Sequence, residues 1–170
     1  MKLQLLVFSW SLTLYLISSP VLPTPGESYS PAAAVRLSIK PVRTGDAHWV
    51  LDVKLTNGGM QPITVDSSAL PWAYQSSILL VPVEARNEGQ ILEQRRAISD
   101  PENHEVVIKP GVTLSGRIEL RDRILDLPKL LRRTGLVVFW VYILRTVAAA
   151  EGPVLHGSVL IPREMEGPSR

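Results

Sequence analysis

At 170 residues with 18 basic and 16 acidic side chains, the chain is too evenly charged for a nucleic-acid binder, which needs Lys and Arg massed on one face to neutralise phosphates. It contains no cysteine, so disulfide staples and the thiol-linked lipid of a bacterial lipoprotein are both excluded. Whatever folds here is held by apolar packing.

The first element is an export signal, read as a signal helix. Lys2 precedes a run from Leu3 to Leu22 in which every residue is apolar, Ser, Thr, Gln or Pro, and Pro23-Thr24-Pro25-Gly26 then breaks it. About twenty residues would cross a hydrocarbon core of roughly 30 Å, but serines dilute the run and Pro20 ends it. Only Leu3 to Ile17 is a strongly apolar core, the length of a signal-peptide h-region. Residues 1–26 are therefore expected to be a signal peptide and the mature chain periplasmic or secreted. The alternative is an uncleaved inner-membrane anchor with the rest facing outward, the only membrane contact the chain suggests. Removal of the signal takes away Lys2 alone, leaving 17 basic and 16 acidic residues.

Residues 27–33 form a spacer and 34–165 a single domain, with a disordered tail at 166–170. Val35, Leu37 and Ile39 alternate with Arg36, Ser38 and Lys40, the period-two pattern of a strand with one buried face. Trp49, Leu51, Val53 and Leu55 repeat it after the turn residues Thr44-Gly45-Asp46, which predicts an antiparallel pair. Asn57-Gly58-Gly59 offers a positive-φ turn before a short strand over Pro62 to Val65. Ser77 to Val83 reads as a strand whose Pro82 marks an edge or an end.

Ile91-Leu92 is a brief extended segment, and Gln94 to Asn103 is the longest exposed connection. Glu105 to Ile108 and Leu114 to Leu120 are strands around the turn Lys109-Pro110-Gly111. Asp126 to Arg133 is the one helix expected in the mature chain, with Asp126 as cap and Pro128 in the first turn. Leu136 to Leu144 is apolar at odd and even positions alike, which predicts a central strand covered on both faces. Leu155 to Pro162 closes the domain. The sum is an all-β antiparallel sandwich of seven to nine strands with one short helix.

Three segments resemble the immunoglobulin-like and fibronectin-like domains of bacterial envelope proteins. Val53 to Val65 is similar to their strand, Asn-bearing turn and Pro-Ile strand; Ile108 to Leu114 to their proline-glycine turn; and Thr134 to Val138 to their glycine-led late strand. The resemblance implies an immunoglobulin-like sandwich and no particular function. The paired cysteines of antibody-type domains are absent, and Leu136 stands where a tyrosine-corner residue would fall. The layout is also similar to a small bacterial proteinase-inhibitor family, although no inhibitory loop motif is present.

Catalytic constellations do not emerge. His48, His104 and His156 are isolated from one another, and neither a Gly-x-Ser-x-Gly elbow nor a phosphate-cradling glycine loop occurs. No cofactor or metal site is expected. The candidate binding residues are Trp72 and Tyr74, aromatics beside Pro71, and the basic group Arg121, Arg123, Arg132 and Arg133 with Lys129. Burial of Trp72 as a plug at the sandwich end is the stronger reading of that residue.

These readings point to a non-catalytic binding or accessory module whose partner is a protein or peptide of the cell envelope, with the Pro82 strand as a candidate edge for strand addition. The alternatives are an enzyme with a site built from the loops Gln94 to Asn103 and Thr146 to Pro153, and a protease inhibitor presenting one of them.

Overall fold

A computed structural model describes residues 35–44, 48–86, 90–94, 103–148 and 152–164. The expectations for the signal, the spacer, the tail and most of the Gln94 to Asn103 loop lie outside these residues. The described chain is all-β and sandwich-like. Its strands are β1 (Val35–Thr44), β2 (His48–Asn57), β3 (Ile63–Asp66), β4 (Leu79–Glu84), β5 (Glu105–Ile108), β6 (Thr113–Glu119), β7 (Leu136–Ile143) and β8 (Val154–Ile161). One helix, α1 (Leu127–Arg133), lies between β6 and β7.

All pairing is antiparallel, in three sheets ordered β1-β2-β6, β3-β5 and β4-β7-β8. Alternation decides which side of each strand turns inward. Leu51, Val53 and Leu55 of β2 meet Leu136, Val138, Trp140 and Tyr142 of β7 within one continuous buried cluster. Val50 is buried on the opposite side of β2, beside the short 3-10 turn Leu120–Asp122. An ion pair of 4.0 Å from Arg43, near the end of β1, to Glu164, just past β8, links the two larger sheets.

In each three-stranded sheet one edge strand carries a glycine on which a tryptophan is seated. Gly116 in β6 leaves the space that the Trp72 indole fills, and a Cβ there would stand 2.1 Å from the ring. Gly157 in β8 pairs directly with Trp140 and would place a Cβ 2.6 Å from it. The flat rings supply the apolar cover that the missing side chains do not.

Three local expectations change. Neither Gly58 nor Gly59 adopts a positive φ; among the described residues only Gly111 and Asp126 do. The Asn57 side chain sets that turn instead, because its Oδ1 accepts from the Gly59 N–H at 2.9 Å. Asp126 precedes α1 as expected but is left-handed, with φ 51°, and makes no side-chain cap bond. Its carboxylate pairs with Lys129 at 3.4 Å, while its carbonyl starts the helix by accepting from Lys129 and Leu130.

The third change concerns β7. It is the middle strand of its sheet, as its composition requires, but the described residues cover only one face. Val137, Phe139, Val141 and Ile143 point away from the core, and Phe139 and Ile143 are exposed.

Candidate functional site

The candidate residues separate in the fold. Trp72 is half-buried over Gly116, and Tyr74 is half-buried with its carbonyl accepting from Arg123 at 3.0 Å. Arg123 is itself buried, and loss of hydration pulls its guanidinium below the usual arginine range. Arg121 is exposed and contacts the His48 ring at 2.9 Å. Arg132 and Arg133 are exposed at the end of α1, where positive charge suits the helix dipole, and the Arg132 carbonyl accepts from Arg163. The basic group thus divides between the interior, the β2 end and the helix end, and of the two aromatics Tyr74 bonds Arg123 through its carbonyl while Trp72 sits on Gly116.

Serine, histidine and aspartate come together around the 3-10 turn Ser67–Ala69. Asp66 Oδ1 accepts from the Ser68 N–H at 2.9 Å and from its hydroxyl at 2.8 Å. The Ser67 N–H donates to the His104 carbonyl, and the His104 N–H donates to the Ser67 hydroxyl. These bonds hold the Asp66 carboxyl below its ordinary range, first through the Ser68 N–H and hydroxyl and then through the His104 charge. A nucleophilic serine gives its proton to a base that a third group orients. Here the Ser68 hydroxyl goes straight to the carboxylate, which makes the cluster a turn lock. Among the described residues, no three His, Asp or Glu side chains are grouped to hold a metal ion.

The feature that sequence reading missed is the contrast between the outer faces of the two three-stranded sheets. On β1-β2-β6 the register sets Ser38 beside Lys54 and Lys40 beside Asp52, while Arg117 and Thr113 of β6 flank Asp52 and Thr56. Arg117 donates to Asp52 at 3.0 Å, and the Thr56 and Thr113 hydroxyls bond at 2.8 Å. That is a solvated face, stitched by cross-strand polar pairs.

On β4-β7-β8 the same alternation yields a different surface. Leu79 lies beside Val141, Val81 beside Phe139, Val137 beside Leu160, and Ile143 beside Val154. Ile91 extends the row beyond β4 through its bridge to Val83. Exposures are 57% for Leu79, 48% for Phe139, 57% for Val154 and 60% for Leu160. With Ile143 and Ile91 these side chains present on the order of 600 Å² of apolar surface, the top of the range of about 300 to 600 Å² for the largest patch on a monomer.

Edges matter as much as faces. Pro82 does sit at a sheet edge, within β4, but its own chain already uses that edge. Leu92 donates to the Pro82 carbonyl at 2.9 Å, Glu84 donates to the Gln90 carbonyl at 3.2 Å, and Gln94 Nε2 donates to the Leu80 carbonyl. The proline nitrogen, which has no hydrogen to give, faces the same outward side as its carbonyl, so its place in a strand costs no ladder bond. Among the described residues β8 ladders to β7 alone, and it contains no Lys, Glu or Pro of the kind that guards an edge.

The sequence did carry a signal for the open face. β7 is apolar throughout, while a single helix of two turns is all that the domain's sequence predicts for covering a second face. Compared with known proteins, the chain matches no family model and no curated sequence.

Proposed function

We propose that the chain is an exported, non-catalytic binding module of the cell envelope, immunoglobulin-like in plan, that engages a protein partner through the outer face of β4-β7-β8. The leader composition of residues 1–26 supports export. The strand orders β1-β2-β6 and β4-β7-β8 support the plan, because they match the A-B-E and C-F-G groupings of that fold. The departure is β5, which pairs with β3 and not with β6.

The observation that carries the binding reading is the apolar outer face on one sheet beside one laced with cross-strand charged and hydroxyl pairs on the other. Covering on the order of 600 Å² at about 25 cal/mol per Å² offers a gross gain of roughly 15 kcal/mol. Association costs about 4 to 15 kcal/mol, so the face is large enough to drive binding and modest enough to leave it reversible.

A photo-crosslinking residue in place of Phe139, tested in the exported protein, should give a protein adduct, while the same residue in place of Lys54 on the polar face should give none. Absence of any adduct at position 139, or equal yields at both positions, defeats the reading.

A further inference from the structure

We infer that the partner on this face is a second copy of the chain, with the two β4-β7-β8 sheets stacked about a twofold axis near Phe139. This rests on the binding reading above and names its occupant.

Charge is the first reason. None of the residues that the register places on the face is a carboxylate, lysine or arginine, and the polar exceptions are Ser158 and His156 on β8. A different protein would be selected through charges that this surface does not offer, whereas a face with none meets its own copy without like-charge repulsion.

Shape is the second reason. Phe139 is the large side chain of the middle strand, and its direct cross-strand neighbour is the small Ser158. A twofold axis between them sets the Phe139 ring of each copy over the Ser158 of the other, the reciprocal contact that an isologous interface requires. Area is the third. Stacking covers the exposed side chains and the half-open valines between them, on the order of 700 to 800 Å² per copy, against the roughly 800 Å² that a standard interface takes from each partner. Homodimer interfaces are also the more apolar class.

Sedimentation of protein expressed from the full sequence, run from micromolar to sub-millimolar concentration, should show a reversible monomer–dimer equilibrium. Phe139→Glu and Phe139→Lys should each weaken it about 30-fold or more, as loss of a central anchor does. An equimolar mixture of the two variants should regain dimer, because opposite charges then meet across the axis. Unchanged circular dichroism verifies folding, and Leu160→Glu, at a more exposed position, replaces Phe139→Glu if that variant is not folded.

A wild-type chain that stays monomeric overturns the inference. If position 139 then crosslinks to a different protein, the binding reading survives without the second copy; if it crosslinks to nothing, both fall. A dimer that persists undiminished in Phe139→Glu and Leu160→Glu lies elsewhere and also overturns the inference.

Discussion

Asn57 uses its side chain to join parts of the chain that are distant in sequence. Its Nδ2 donates to the carbonyls of Gln61 at 2.8 Å and Ile108 at 2.9 Å, while its Oδ1 accepts from Gly59. Its backbone bonds Val112 and Gly111, so one residue fastens the β2–β3 turn to the turn between β5 and β6. Asn57→Ala would strand these groups in a buried site and should cost about 2 to 4 kcal/mol in urea unfolding. Tyr142 offers a second measurement. It is buried on β7 and donates to the Ala69 carbonyl at 3.1 Å, and burial raises its phenol above the ordinary 10.0. The folded state therefore keeps the proton that the unfolded chain gives up, so stability is retained below pH 10.0 and lost as pH climbs above it. Tyr142→Phe should cost about 1 kcal/mol at neutral pH and flatten that alkaline loss. At this scale the sequence told where Asn57 would turn the chain, but the bond to Ile108 depends on the pairing of β5 with β3, which it could not place.

Among the elements, the glycines of β6 and β8 carry the sharpest expectation. A methyl group at Gly116 or Gly157 meets an indole ring, whose displacement disturbs the packed interior. Gly116→Ala and Gly157→Ala should each destabilise by about 1 to 3 kcal/mol, read as a lower urea midpoint at unchanged slope. The strands themselves were legible because period-two alternation is local. β1, β2, β5, β6 and β8 fall where their alternating residues lie, and α1 begins just after its expected cap. The glycine-on-tryptophan contacts were not legible, since each joins residues from different strands or loops. β7 was legible by half: nine consecutive apolar residues from Leu136 to Leu144 correctly implied a central strand. Cover on the second face is a tertiary property, and the described chain does not supply it.

Taken whole, the molecule is polarised, with a charged outer face on one sheet and an apolar one on the other. Because the apolar face holds no formal charge from Asp, Glu, Lys or Arg, its self-association should be nearly unchanged between low and moderate sodium chloride and strengthened by sulfate, which favours apolar burial. Sedimentation across both salt series checks this, and a steep weakening with sodium chloride would point to a contact through the charged β1-β2-β6 face instead. Strand number, the single short helix and dependence on packing without disulfides followed from alternation, turn residues and the lack of cysteine, all of them properties of neighbouring residues. Strand order, the division of the basic residues and the open face could come only from the folded chain. They depend on which strands pair across long stretches of sequence, and a one-dimensional pattern states that a strand has two apolar sides without stating what stands against each.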